Sequence, residues 1–344
     1  MTVKMTVTYN IAVIGAASQV GRGIFKALLE QDFPYGAVHA LAADNSVKQS
    51  VSFGDERVLT LESAASFDYT TVDFVFSAAS AAEIKSLAPR IKASGAILID
   101  TSSAFSLEPG VPLVVPEVNS HRVITNGLSK ISKGKGQVVA SPNCIATPLA
   151  LTLKALSAVA PLEMIVVSTY EAVSGAGSAG MDVLHAQARQ VLMVQPLTNG
   201  PFDRPIAFNI IPFIDTVQSN GSTRHEEDVR TQTIKILESP VKMAVTCAQV
   251  PVFVGDCFSV HVSFKKTPTL QACQKAMKDF PGLTVHTRAN DIISPIEIVG
   301  ESMVHVCRMR TSQEGLNYWV SCDNLRKGSA QNAVQIAGLL ASHW

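Results

Sequence analysis

Cys144 stands in Ser141-Pro142-Asn143-Cys144, followed by Ile145-Ala-Thr-Pro148 and a run of helical character from Ala150 to Ala158. A thiol where a helix begins meets backbone N–H groups and the positive end of the helix dipole, which favour its thiolate form. Cys144 is therefore a candidate nucleophile, and Asn143 beside it a candidate to position the oxygen of an acyl group. The competing reading is a small buried hydrophobe, the ordinary role of a cysteine. Cys247, Cys257, Cys273, Cys307 and Cys322 read as packing residues. They form no C-x-x-C pair and no His/Cys spacing, so no metal site and no disulfide is expected.

A second group of residues could hold a phosphate. Gly15-Ala-Ala-Ser-Gln-Val-Gly21 lies between an apolar run, Asn10 to Ile14, and a segment of helical periodicity, Arg22 to Gln31. Backbone N–H groups from Gly15, Ala17, Ser18, Gln19, Val20 and Gly21 could cradle a pyrophosphate. Ala17 takes the place of the middle glycine of G-x-G-x-x-G, and a tight ligand-free βα turn is the bland alternative. After the second strand stands Asp44-Asn45. An acid there can bond a ribose hydroxyl and repels a 2′-phosphate, so NAD is expected over NADP.

The elements that must carry these groups alternate. Val38 to Ala42, Val72 to Ser77, Ala96 to Asp100, Leu113 to Pro116 and Gln137 to Ala140 read as strands, with a helix from Ala81 to Ala93. That alternation predicts a parallel, doubly wound sheet. Beyond Cys144, strands are expected at Met164–Glu171, Phe208–Pro212, Ala244–Val252, Phe258–Phe264, Val304–Thr311 and Tyr318–Cys322, forming one mostly antiparallel sheet. Helices are expected at Met181–Leu192, Glu226–Leu237 and Leu325–Leu340. The 344 residues, 47% of them apolar, suffice for two cores. Lys and Arg total 28, as do Asp and Glu. That balance argues against nucleic acid or an anionic membrane as partner. Scattered cysteines and the lack of an apolar signal core in Met1 to Asn10 give a cytoplasmic protein as the expectation.

Several motifs then agree, in order, over nearly the whole chain. The glycine turn, Asp100-Thr-Ser-Ser-Ala-Phe105, Val114-Val-Pro-Glu-Val-Asn119, Ser141-Pro-Asn-Cys144, Ser168-Thr-Tyr-Glu-Ala-Val-Ser-Gly-Ala-Gly177, Val250-Pro-Val252 and Asn324-Leu-Arg-Lys-Gly-Ser-Ala-Gln-Asn-Ala333 resemble aspartate-semialdehyde dehydrogenases. The resemblance implies a Rossmann-type parallel-sheet NAD(P)-binding α/β domain and an α+β mixed-sheet dimerisation and catalytic domain, as in glyceraldehyde-3-phosphate dehydrogenase-like proteins. It implies a homodimer, a small-molecule substrate and a thioacyl intermediate on Cys144. It also places Ser174, Gly175 and Asn324 at the cofactor. The domains are expected at 8–140, 141–323 and 324–344, the last a helix returning to the first domain.

Departures from the family pattern fall on the charged partners. The resemblance implies a catalytic histidine where Asp256 stands, a glutamine at Glu171, and arginines at Ser106 and Gln249. It implies a lysine at Asp228, with Glu226 as the retained helix glutamate, and an arginine at Asn45 for NADP. This combination resembles the Usg branch of homologues. Asp256 is then either a general base whose pKa burial has raised, or a solvated loop acid after Gly255. His261 lies five positions further along a strand and faces the other side. Ser106, Gln249 and Glu226 remain substrate-binding candidates, without the ionic clamp of an arginine. Two readings stand: an oxidoreductase on an acyl or aldehyde substrate, and a non-catalytic binding or regulatory dimer. In either, carboxylates Asp256 and Glu171 beside Cys144 disfavour its thiolate.

Overall fold

The computed structural model describes residues 7–42, 49–55, 57–124 and 136–343. Asp44 and Asn45 lie outside the described residues. The chain divides into two compact units, residues 1–142 with 329–344, and residues 143–328.

In the first unit, six strands form one parallel sheet in the order Glu62–Ser63, Tyr35–Ala42, Tyr9–Ile14, Phe74–Ser77, Ile97–Asp100, Gln137–Ala140. The central strands read Tyr-Asn-Ile-Ala-Val-Ile, Phe-Val-Phe-Ser and Ile-Leu-Ile-Asp, apolar on both faces because helices cover both. Leu113 makes only an isolated bridge to Ala140. The expected strand there gives way to a short helix, Pro116–Asn119, where proline takes the first helical position and Asn119 holds Val115 N and Leu113 O. A hairpin of Ser50–Phe53 and Arg57–Thr60 had no clear sequence signal. The helix Gln331–Ala341 packs against Gln19–Glu30 in this unit, with Tyr9 donating to Ala341 O. Asn332 also binds Val114 O and Ser141 Oγ.

The second unit is a six-stranded mixed sheet in the order Lys242–Gln249, Leu162–Glu171, Asp256–Phe264, Gly315–Cys322, Val304–Ser312, Leu283–Val285. The outer pairs are parallel and the three inner pairs antiparallel. Side chains alternate along each strand. Ile165, Val167, Thr169 and Glu171 are buried in one row, and Asp256, Phe258, Val260, Val262 and Phe264 in another. Each row ends in a carboxyl group, and Glu171 pairs across with Gln249. His261 falls in the alternate phase and meets Asn317 at 3.1 Å, away from Asp256. Phe208–Pro212 is not a strand; Phe208 sits at φ +57° and only Ile211 bridges to Gln249.

Candidate active site

Cys144 precedes a helix that runs Ala146–Ser157. Its opening N–H groups are not offered to the thiol. Asn143 Oδ1 accepts from Ile145 N at 3.2 Å and Ala146 N at 2.7 Å, and Asn143 O accepts from Thr147 N. The dipole argument for a thiolate therefore weakens, because the neighbouring asparagine already caps the helix. Asn143 Nδ2 is buried and has no acceptor among the described residues. Gly328 packs so closely on the loop that a Cβ there would come within 2.9 Å of Cys144 Cα, Cβ and O. A side chain at 328 would displace the nucleophile.

Asp256 is the first residue of its strand and only 1% exposed. That excludes the solvated loop acid. Asp256 Oδ1 accepts from Ala172 N at 2.8 Å, and the Cys144 sulfur lies within 4.8 Å of the same carboxyl group. Burial, reinforced by the Glu171 charge, raises the Asp256 pKa well above the ordinary carboxylate range. Burial likewise pushes the Cys144 thiol well up, with further push from Asp256 and then Glu171.

Glu171 has a partner that the sequence did not announce. His225 Nε2 lies 3.0 and 2.9 Å from its two carboxylate oxygens, and Thr169 Oγ1 donates to Oε1 at 2.7 Å. Burial alone would lower the His225 pKa. The adjacent Glu171 carboxylate and a hydrogen bond with Cys247 override it, holding the imidazole well above its usual value. The site thus retains one cation beside Glu171. Thr223-Arg-His-Glu226 is a capping box, with Thr223 Oγ1 accepting from Glu226 N and the Glu226 carboxylate accepting from Thr223 N. That T-x-x-E pattern was legible and fixes His225 as the second residue of the helix Arg224–Leu237. What could not be read was that this position faces the end of a strand more than fifty residues earlier.

The remaining candidates separate. Gln249 lines the cavity and donates to Glu171 O at 2.6 Å. Glu226 spends its carboxylate on Thr223 N and Cys247 N and does not reach the cavity wall. Asp228 is half-buried and lies 3.9 Å from Arg224. Asn324 Nδ2 donates to Ser174 Oγ, and Asn324 Oδ1 accepts from Gly255 N, so both residues brace the turn before Asp256. Gly175 lines the cavity. Ser106 belongs to the first unit, buried, its Oγ donating to Ser103 O. Cys144, Glu171 and Asp256 bring one donor atom each within 4.8 Å of one another, as do Glu171, His225 and Cys247. In the second group His225 bonds both carboxylate oxygens of Glu171. Cys144, Glu171, His225 and Asp256 line a cavity of about 300 Å³ in the second unit.

The glycine turn is built for close approach. Gly15 has φ +72°, and a Cβ there would meet Ala78 O at 2.6 Å; a Cβ on Gly21 would meet Gly15 O at 2.3 Å. Ser18 caps the following helix by accepting from Gly21 N at 3.0 Å. A cleft of about 210 Å³ opens there, lined by Gly15, Ala17, Ser18, Ala42 and Glu83 among others. Backbone and small side chains at a helix start suit a dinucleotide phosphate.

The family model "Semialdehyde dehydrogenase, NAD binding domain" matches residues 10–125, and "Semialdehyde dehydrogenase, dimerisation domain" matches 153–327. Aspartate-semialdehyde dehydrogenase of Rickettsia conorii is 38% identical, covering 99% of this chain and all of that protein. The chain belongs to the aspartate-semialdehyde dehydrogenase family. The Streptomyces akiyoshiensis aspartate-semialdehyde dehydrogenase is 36% identical over 97% of the chain and 98% of its own length. The crystal structure of aspartate semialdehyde dehydrogenase II from Vibrio cholerae superposes with TM-score 0.91 at 31% identity, covering 98% of this chain and 99% of that one. As in that family, the parallel-sheet unit is an NAD(P)-binding domain and the mixed-sheet unit a dimerisation domain. No helix among the described residues is long and apolar enough to cross a membrane.

Removing the Asp256 charge is expected to stabilise this family member above neutral pH. Asp256 binds its proton more tightly folded than unfolded. Its contribution is therefore full below the unfolded pKa of about 3.9 and is lost as pH rises through the raised folded value. Asp256→Asn keeps an acceptor for Ala172 N and should raise stability at pH 8 by about 1–3 kcal/mol, with less effect at pH 4. Urea midpoints at the two pH values check it; an equal loss at both would show that the carboxyl group is needed whatever its charge.

Proposed function

We propose that the protein is an NAD(P)-dependent oxidoreductase acting on an aldehyde or acyl substrate through Cys144, as a cytoplasmic homodimer of the Usg type with little ordinary aspartate-semialdehyde dehydrogenase activity. The observation that carries the reading is the convergence of Cys144, Asp256 and Glu171 on one cavity. Cys144 supplies the sulfur that bonds the carbonyl carbon. Asn143 Nδ2 is a free donor for the carbonyl oxygen. Asp256, whose carboxyl group lies within 4.8 Å of the sulfur, exchanges its proton. His225 holds Glu171 in place and offsets its charge. Gly15, Ser18 and Gly21 would hold the dinucleotide, which supplies hydride transfer when bound.

The cavity wall holds no lysine or arginine among the described residues, which supports a substrate other than aspartyl phosphate. The test is mass-spectrometric detection of an acyl adduct on Cys144 after incubation with NAD and a panel of aldehydes, with Cys144→Ser as control. Absence of any adduct or of nicotinamide reduction, with the dinucleotide bound, would establish the second reading, a non-catalytic nucleotide-binding or regulatory dimer. The raised thiol pKa is the observation that favours that alternative.

NAD is expected to bind more tightly than NADP. Asp44-Asn45 offers no cation to a 2′-phosphate, and the described cleft adds the Glu83 carboxylate and no lysine or arginine. Calorimetric titration with both cofactors decides this; tighter NADP binding would overturn it.

A further inference from the structure

The reacting cavity is walled by aromatic rings and rimmed by carboxylates. Phe202 and Phe213 line it together with Ile211 and Ile214. Asp203 and Asp215 lie at its exposed edge. Neither carboxylate has a salt-bridge partner among the described residues. Arg204 Nη1 reaches only the backbone carbonyl of Asp203, and Asp215 Oδ1 accepts from Thr216 N and Oγ1. Deeper in, His225 offsets Glu171 at 2.9 Å, and Asp256 is buried against Ala172 N and the thiol. The uncompensated charge of the cavity is thus at the rim and negative.

We infer that the substrate of this cavity carries an organic cation: an aldehyde or acyl compound whose carbonyl end reaches Cys144 and whose ammonium end lies between Phe202, Phe213, Asp203 and Asp215. Aromatic faces attract an alkylammonium group through their quadrupole, and two unpaired carboxylates add direct attraction. A carboxylate or phosphate in the same place would meet like charge, with Gln249 offering no positive charge in return. The inference rests on the reading of this cavity as the reacting pocket.

Three probes of matched length separate the terms: γ-trimethylammonio-butyraldehyde, its uncharged tert-butyl isostere, and succinic semialdehyde. The readout is protection of Cys144 from iodoacetamide in the full chain, followed by mass spectrometry, with nicotinamide reduction measured in parallel. The cation is expected to half-protect at a concentration about tenfold below that of its isostere, with succinic semialdehyde weakest. The advantage should shrink at high salt. In Asp203→Asn/Asp215→Asn the ratio of cation to isostere should fall toward one. Equal protection by cation and isostere, or better protection by succinic semialdehyde, overturns the cation preference alone. No protection by any aldehyde overturns both it and the reading of the pocket.

Discussion

Supplied with aspartate semialdehyde, phosphate and NAD or NADP, the purified protein is expected to turn over about 10²–10⁴-fold more slowly than an ordinary member of its family. That is the usual worth of a general acid–base group. Here the group beside Cys144 is Asp256, whose proton is held tightly by burial and by the Glu171 charge. A carboxyl group, unlike an imidazole, cannot become a cation when it takes the thiol proton, so nothing positive is left to stabilise the thiolate. Among the described residues the cavity wall also has no lysine or arginine to hold an anionic acyl phosphate. Loss of such a charged hydrogen bond costs about 2–5 kcal/mol, further reducing turnover at low substrate. Initial rates of nicotinamide reduction at saturating phosphate decide the matter. Turnover within tenfold of a family enzyme assayed alongside would sink the prediction.

The second large effect concerns the thiol. Of six free cysteines, five are buried and Cys144 is half-buried, so alkylation of the native protein reports on it. Its labelling midpoint is expected at or above about pH 8.5, the value of an unperturbed thiol. Burial, Asp256 and Glu171 all push upward, and Asn143 has taken the helix N–H groups that would push the other way. Asp256→His exchanges a carboxyl group for an imidazole and should lower the midpoint by about 1–3 units. From a midpoint of about 8.5, thiolate at pH 7 would then rise about eight- to thirtyfold, and because a more acidic thiolate is a weaker nucleophile the net gain in labelling rate is about two- to threefold at most. Asp256→Asn removes the charge without adding an imidazole and should fall between parent and histidine variant. A parent midpoint well below 7 would mean that another group activates Cys144.

The sequence alone determined a good deal, for local reasons. Apolar runs such as Ile11–Ile14 and Ile97–Ile99 specify strands buried on both faces, and their alternation with helices specifies a parallel sheet. Gly15 and Gly21 mark a backbone approach that a Cβ would block. Cys144 and Asp256 were recognisable from the motifs around them. The strand Leu283–Val285 was missed because three residues carry too little pattern, and Leu113–Pro116 was misread because Pro116 starts a helix.

Tertiary structure decided the charge state of the site. Whether Asp256 is solvated or buried depends on the strand packed across it, and a one-residue slip of its own strand would have turned it outward. The pairing of Glu171 with His225 joins the end of a strand to the second residue of a helix 54 positions away. No local pattern encodes that contact, because it depends on how the helix lies against the sheet. The same holds for Asn143: its identity was plain from the motif, but only the backbone path shows that its carbonyl oxygen caps the helix while its amide remains free. Residue types and spacing determined which groups could do chemistry. Packing determined which of them lie buried together and which of them meet a partner.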